Sequence, residues 1–239
     1  MTMSVESADA TAAIAIVLQL CDSSFPSGAF NCSWGLEGLV ADGTIAHGTD
    51  LCGLVVEQLR HRWATFDRVV AHLVVTALDR PHPDLAATID AIVAVDRRVE
   101  AMSLPPAQRE ASRDTGRTFL RSAASVVGGE PAEHLAALEA LDAPMHLAVT
   151  LPLVLRGVGA SMRVIDVVSG LQLVQQLASA GLRLGVVGHV GAQSVIARGR
   201  EELEVLLAEP PGTVLSQFVP RAEMAMYRQP RLVGRSFRC

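Results

Sequence analysis

Apolar residues recur along most of the chain at the three- and four-residue spacing of an α-helix. In the first such segment, Thr11–Cys21, residues Ile14, Val17, Leu18 and Cys21 occupy positions i, i+3, i+4 and i+7 and share one helix face. The same spacing predicts further helices at Ser33–Val40, Thr49–Leu78, Asp84–Met102, Ala107–Val127, Glu130–Leu141, Met145–Val158, Met162–Ala180 and Val187–Ala208. Strict two-residue alternation bounded by hairpin signals is absent from the sequence. The pattern therefore predicts an all-α fold, a single compact domain of about eight to ten helices packed as a two-layer helical bundle.

The last thirty residues differ in character from the rest. Residues 210–239 contain five arginines and one acid, a net charge of +4, so the −5 of the whole chain leaves −9 on residues 1–209. Four of the twelve prolines also lie there. We therefore divide the chain into a helical domain, 1–209, and a basic, proline-containing C-terminal arm, 210–239, that docks a partner and orders on it. The alternative, in which the arm folds back on its own acidic body, stays open.

Composition excludes several classes of protein. Apolar residues make up 50% of the chain and charged residues 19%, the opposite of a disordered protein. The longest uncharged stretch, Val167–Leu182, has 16 residues and is too short and too polar for a membrane span. All 20 basic residues are arginine, so P-loop nucleotide hydrolysis and Schiff-base chemistry, which need a lysine, are excluded. Net negative charge and 4% aromatic residues argue against nucleic-acid binding.

The cysteines indicate a reducing compartment. The chain has Cys21, Cys32, Cys52 and Cys239, which form no Cys-x-x-Cys motif, and its beginning lacks the features of a secretory signal. We therefore expect a reduced, cytoplasmic protein.

Candidate catalytic and metal-binding groups are sparse. His61 and His72 lie eleven residues apart on one face of a predicted helix, with Glu57 one turn before His61. A helical hydrolase or metal enzyme on this face is one hypothesis, but two or three ligands fall short of a zinc site, and surface histidines are the simpler interpretation. The segment Gly185–Gly191 lacks the order of a nucleotide-binding loop and suits close helix packing or a helix start. These patterns predict neither a catalytic group nor a resident metal or cofactor.

Four arginines form a stripe along one predicted helix. Residues 109, 113, 117 and 121 are all arginine, and each step of four advances about 40° around the helix. The stripe is either a binding surface for an acidic partner or a solvated face neutralised by Glu110 and Asp114.

Four segments, in order along nearly the whole chain, carry a family resemblance. The first mixes aromatic and small residues at a helix–loop–helix corner. The segments are Leu18–Glu37, Arg109–Leu120, Leu182–Gln193 and Tyr227–Ser236. In this order they resemble four motifs of the urease accessory protein UreF family. The first is the family's opening, in which Leu-Pro-x-Gly-Ala/Gly-aromatic leads into Ser-x-Gly-Leu-Glu, and the second is its central helix. The third is its late Arg-Leu segment, and the fourth is its terminal Arg-Leu-Phe-Arg-Ser. The chain departs from that pattern at Cys32, where a basic residue is usual, at Val186 and His189, at an inserted Gly234, and in three extra residues that end at Cys239.

The resemblance implies a helical, homodimeric, non-enzymatic scaffold or chaperone that acts in nickel insertion into urease. It implies docking to the accessory D or H protein, recruitment of the accessory GTPase, and GTP-dependent delivery of nickel to apo-urease, with nickel handled by the complex and no cofactor stably bound. The residues it places against the accessory D or H partner are Tyr227, Arg231, Leu232, Arg235 and Ser236. Those it places on or near the face toward the GTPase are Phe30, Ser33 and Glu37. Those it places near the internal passage of the complex are Arg183, Gly188 and Gln193. The alternative is a regulatory helical adaptor, unrelated to urease, that binds an acidic protein.

Overall fold

The helices of the structure follow the predicted order closely. The computed structural model describes residues 5–81, 84–229, 234 and 236–239, and within these ranges it is helical with no strand, which confirms the all-α prediction. The helices are α1 Val5–Leu20, α2 Leu36–Ala41, α3 Gly48–Gln58, α4 Arg68–Leu78, α5 Leu85–Met102, α6 Pro106–Val127, α7 Gly129–Ala140, α8 Leu147–Gly157, α9 Met162–Arg183, α10 His189–Ala208 and α11 Pro220–Arg228.

Helix boundaries follow from capping chemistry. Asp84 precedes α5 and accepts a hydrogen bond from the Ala86 amide, and Ser161 caps α9 in the same way through the Val164 amide. Pro106 is the first residue of α6, where a missing N–H costs little. Gly188 immediately precedes α10, which confirms that the glycine-rich segment is a helix start.

Three features of the fold were missed from sequence. The predicted helix Thr49–Leu78 is interrupted between α3 and α4 by a π-helical stretch, Leu59–Asp67, and a short 3₁₀ helix lies at Ala29–Asn31. Helix α11 lies inside the segment assigned to a proline-broken arm, because Pro220 occupies its first position and does not break it.

The buried apolar residues form two clusters that share α9. One cluster surrounds α8 and draws on α1, α4, α5, α6 and α7. The other joins α2, α3, α10 and α11 to the later turns of α9, and it includes Phe237 and Cys239 at the end of the chain. The C-terminal segment therefore contributes to the core. None of the helices in the described part of the chain is long and apolar enough to span a membrane.

Candidate functional site

The end of the chain lies against the segment that follows α1. We call the contact between residues 30–37 and residues 236–239 the junction. The Ser33 amide and hydroxyl both donate to the backbone oxygen of Cys239, at 2.5 and 2.7 Å, and the Arg238 amide donates to the Asn31 carbonyl at 2.8 Å. Ser33 is fully buried. Its hydroxyl also accepts from the Glu37 amide at 3.3 Å, so one side chain serves both the start of α2 and the chain terminus.

Glu37 connects the junction to the end of α11. Its carboxylate accepts a hydrogen bond of 2.7 Å from the Gln229 side-chain amide and a second bond from the Ser236 backbone amide. The same Gln229 nitrogen donates to the Phe237 carbonyl at 3.0 Å. Glu37 and Gln229 are buried, and a buried carboxylate without partners is unfavourable. The Gln229 and Ser236 N–H groups therefore satisfy the Glu37 carboxylate, while the buried Gln229 side-chain oxygen has no hydrogen-bond partner among the described residues.

Arg183, at the end of α9, contacts both sides of the junction. Its guanidinium donates to the Phe30 carbonyl at 2.9 Å and to the Ser236 carbonyl at 3.2 Å. It also lies 4.2 Å from the centre of the Phe237 ring, within the range of a cation–π contact. Residues from three of the four motif segments thus meet at one place.

Two glycines let α11 lie directly on α2. A Cβ atom at Gly35 would stand 2.4 Å from the Ala222 carbonyl oxygen, and one at Gly38 would stand 2.8 Å from that of Ala225. Gly35 also has a φ of 83°, in the left-handed region that favours glycine. Glycine at these positions therefore fixes how closely the C-terminal helix approaches.

Trp34 anchors the junction to the rest of the core. Its indole N–H donates to the Gln176 side-chain oxygen at 2.7 Å, and the Arg62 guanidinium lies 3.6 Å from the centre of its ring. Arg62 comes from the π-helical stretch and is itself buried. Burial lowers the pKa of Arg62, and the nearby Asp67 carboxylate acts in the opposite sense.

Cys32 and Cys239 form a disulfide across the junction. Their Cα atoms are 4.8 Å apart, and 207 residues separate them in sequence. The expectation that all four cysteines are reduced is therefore wrong for this pair, because the fold brings the chain terminus back to the opening loop, which no sequence spacing signals. Cys21 and Cys52 are free thiols.

The outer face of α11 is partly apolar and solvent-exposed. Met224 is 60% exposed and Tyr227 is 53% exposed. The Tyr227 hydroxyl donates to the Leu104 carbonyl at 2.9 Å, so Leu104, whose side chain is also exposed, lies next to Tyr227. Arg221 pairs with Glu57, and Arg228 pairs with Asp42 at 2.6 Å. We call Leu104, Met224 and Tyr227 the α11 face.

The predicted site residues lie at three places in the described structure, and three of them lie outside the described residues. The structure brings five of them together at the junction: Phe30, Ser33, Glu37, Arg183 and Ser236. Tyr227 lies on the α11 face, while Gly188 and Gln193 lie exposed at the start of α10. Arg231, Leu232 and Arg235 lie outside the described residues. Gln229 and Gly38 were missed, although Gly38 stands one helical turn after the motif glycine Gly35.

The arginine stripe is largely paired with acids of this chain, though not with those expected. Arg113 lies 3.3 Å from a Glu100 oxygen, and Arg121 lies 2.8 Å from a Glu139 oxygen. The expectation that Glu110 and Asp114 neutralise the stripe is wrong for Asp114, which pairs with Arg238 at 2.9 Å.

The histidine face lacks a metal-type cluster. The His72 imidazole contacts the buried Asp166 carboxylate at 3.1 Å, and the same carboxylate pairs with Arg68. His61 is exposed. Across the described ranges, no group of three or more histidine, cysteine or acidic side chains is arranged to hold a metal ion, so the hypothesis of a metal enzyme gains no support there.

Comparison with known proteins gives consistent matches. The UreF family model matches residues 45–200. A protein named "Urease accessory protein UreF" from Trichodesmium erythraeum (strain IMS101) is 27% identical over 228 residues, which cover 92% of this chain and 94% of that one. A protein of the same name from Lachnoclostridium phytofermentans is 32% identical over 104 residues, 44% of this chain and 43% of that one.

Proposed function

This chain belongs to the UreF family of urease accessory proteins, and we propose that it acts as a non-catalytic scaffold in nickel insertion into urease. In this proposal it links the accessory D or H protein and the accessory GTPase to apo-urease in the cytoplasm, and nickel is cargo of the complex. It uses no resident cofactor and binds neither nucleic acid nor membrane. Family membership also contradicts the alternative of an adaptor unrelated to urease.

The observation that carries the docking part of this proposal is the α11 face. Two large apolar side chains, Met224 and Tyr227, stand more than half exposed on one helix, beside the exposed Leu104. Exposed aromatic and methionine side chains are typical anchors of protein interfaces. Arg221 and Arg228 flank the face and pair with Glu57 and Asp42 of this chain, so the exposed apolar side chains rather than free charge favour a docking surface here.

The junction supports this face from behind. Ser33 and Glu37 are buried, so in this fold their contribution to docking is indirect: they hold the residues that follow α11. Arg183 does the same from α9. A contact of Phe30 with the GTPase, and a role of Gly188 and Gln193 beside the nickel passage, stay predictions.

The test is a surface substitution that leaves the core intact. We expect Met224→Asp to reduce co-purification with the accessory D or H protein at least tenfold, because it places a charge at the centre of an apolar contact. Val205→Asp, at a 62% exposed valine on α10, is the matched control and should bind normally. Undiminished capture by Met224→Asp, with unchanged helical circular dichroism, would contradict the assignment of this face.

Two further readouts address the wider role. Cells that produce Met224→Asp in place of the natural chain should show low urease activity with normal amounts of urease protein. Sedimentation of the purified chain should give a dimer. Full urease activity in cells lacking this chain would overturn the proposed role, and a monomer at micromolar concentration would overturn the homodimer.

A further inference from the structure

Residues 236–239 are held against the body of the protein by noncovalent contacts and by one covalent bond, the disulfide between Cys32 and Cys239. We call Ser236–Cys239 the tail. Its noncovalent contacts are those of the junction, together with the buried Phe237 ring and the ion pair between Arg238 and Asp114 on α6. The bond between Cys32 and Cys239 ties the tail covalently to the body.

We propose that Cys32 and Cys239 form a reversible redox latch that closes the tail on the body when oxidised and releases it when reduced. With the disulfide formed, the backbone around Ser33 and the end of the chain cannot separate. With two thiols, the tail is held by a few hydrogen bonds, one buried ring and the exposed Arg238–Asp114 ion pair, which contributes little, and local opening becomes accessible.

The exposure of the two cysteines indicates which sulfur is attacked. Cys239 is completely enclosed, whereas Cys32 is 5% exposed and is one of the residues that line a polar cavity of about 150 Å³, with Ser27, Gly28 and Thr118 among the others. A small thiol such as glutathione therefore reaches Cys32 first. Its thiolate attacks the Cys32 sulfur, the disulfide breaks, and the Cys239 sulfur leaves as a thiolate and takes up a proton.

A second glutathione completes the reduction. Its thiolate attacks the glutathione sulfur of the mixed disulfide, and Cys32 leaves as a thiolate and is protonated, with glutathione disulfide as product. Two glutathione molecules thus supply two electrons and two protons, and oxidation by glutathione disulfide is the reverse reaction. The free thiols are poor competitors in this exchange, since burial raises the pKa of Cys21 to about 12 and also raises that of Cys52.

The latch has a consequence for docking that rests on the proposed function. The segment 229–236 is held at both of its ends. Gln229 and Ser236 both donate hydrogen bonds to the Glu37 carboxylate. Arg231, Leu232 and Arg235 lie between them in sequence. Oxidation therefore fixes both ends of the segment predicted to dock the accessory partner, and reduction frees one end.

Thiol counting and amide exchange test the latch without any partner. After equilibration with glutathione disulfide, denaturation and alkylation should label only Cys21 and Cys52, and digestion should give a peptide that links Cys32 to Cys239. Backbone amides at Ser33 and Arg238 should exchange at least tenfold more slowly in the oxidised chain than in the reduced chain. Cys239→Ser should exchange at the fast rate under both conditions, while Cys52→Ser should behave as the natural chain does.

Two results would overturn the latch: four alkylated cysteines after oxidation, or equal exchange rates in the two redox states. Cys239→Ser changes only the terminal side chain and keeps the backbone oxygen that Ser33 binds, so a folding defect does not confuse the comparison. Capture of the accessory D or H protein in each redox state separates the two proposals. Capture only by the reduced chain supports redox control of docking, whereas equal capture by both forms contradicts that control. If neither form captures the partner, the docking function is contradicted, and the exchange result still decides the latch.

Discussion

The Glu37 carboxylate on α2 accepts a 2.7 Å hydrogen bond from the side-chain amide of Gln229, although 192 residues separate the two in sequence. Both side chains are buried. The glutamate of the opening motif is therefore a structural acceptor for the end of the chain. This gives a physical reason why the opening and terminal motifs occur together in one sequence.

Replacing Glu37 tests that reason. Glu37→Ala leaves one of the two Gln229 side-chain N–H groups buried without an acceptor, which costs about 1–3 kcal/mol, while the other still donates to the Phe237 carbonyl. The partly buried Ser236 N–H also loses its acceptor, and we expect the free energy of unfolding in urea to fall by about 1–3 kcal/mol. Glu37→Gln, which keeps one acceptor oxygen, should lose less. Glu110→Ala, at an exposed acid on α6, should stay within about 0.5 kcal/mol of the natural chain. Equal losses in Glu37→Ala and Glu110→Ala would contradict the buried network.

Gly116 in the central motif has a purely steric role that substitution can measure. A Cβ atom there would stand 2.1 Å from the Met145 carbonyl oxygen and 2.5 Å from the Leu147 amide nitrogen. Gly116→Ala therefore forces α6 away from the start of α8, and we expect it to lower the free energy of unfolding by about 1–3 kcal/mol or more.

Gly53 provides the matched control for this measurement. It lies inside α3, and nothing stands within 4 Å of a Cβ atom placed there. Gly53→Ala should raise the free energy of unfolding by up to about 1 kcal/mol, because alanine is the better helix former. Both variants can be compared by urea denaturation. A Gly116→Ala chain as stable as Gly53→Ala would contradict the close crossing.

Helix positions were predictable from sequence because their causes are local. The apolar spacing that predicted Thr49–Leu78 and Asp84–Met102 acts within a few residues. The structure forms the first as α3 and α4 with the missed π-helical stretch between them, and the second as α5, which Asp84 caps. Helix α11 was missed because four prolines in thirty residues favoured a broken arm. Pro220 in fact occupies the first position of that helix, where a proline is compatible with helical geometry.

The junction was not predictable, because its contacts join distant parts of the chain. The resemblance singled out Ser33, Glu37, Arg183 and Ser236, but no pattern said that they meet. The pairing of Cys32 with Cys239 spans 207 residues, and spacing carries no information over such a distance. Burial of Ser33 and Glu37 likewise depends on where the C-terminal segment lies, which only the fold determines.

Asp96 should make stability depend on pH in an unusual direction. It is fully buried on α5 and accepts hydrogen bonds from the Met145 and His146 amides at 2.5 and 3.1 Å. Burial raises the pKa of Asp96 from 3.8 to about 6, even though those two bonds lower it. Between these values the folded chain holds a proton that the unfolded chain has released. The stabilising contribution of this group is therefore complete below about pH 4 and is lost as the pH rises through about 6.

Comparison with Asp96→Asn isolates this effect, since other titrating groups are present in both chains. The free energy of unfolding of the natural chain minus that of Asp96→Asn should fall by about 2–3 kcal/mol between pH 4 and pH 7, by urea denaturation at each pH. The asparagine side chain can accept a hydrogen bond from only one of the two backbone amides and turns its NH₂ group toward the other. This lowers the free energy of unfolding of Asp96→Asn by an amount that does not vary with pH. A difference that stays constant over this range would contradict the raised pKa.

Arg183 and Glu37 should be energetically coupled through Ser236. Arg183 donates to the Ser236 carbonyl at 3.2 Å, and Glu37 accepts from the Ser236 amide. Removal of either side chain loosens the residue that the other one holds. In a reducing buffer, the double variant Arg183→Ala with Glu37→Ala should therefore lose less stability than the sum of the single losses, by about 0.5–1 kcal/mol. Arg121, which pairs with Glu139, shares no described partner with Glu37. The stability losses of Arg121→Ala and Glu37→Ala should therefore add in the double variant to within about 0.5 kcal/mol. If the losses of Arg183→Ala and Glu37→Ala also add, the tail is not held jointly by α2 and α9.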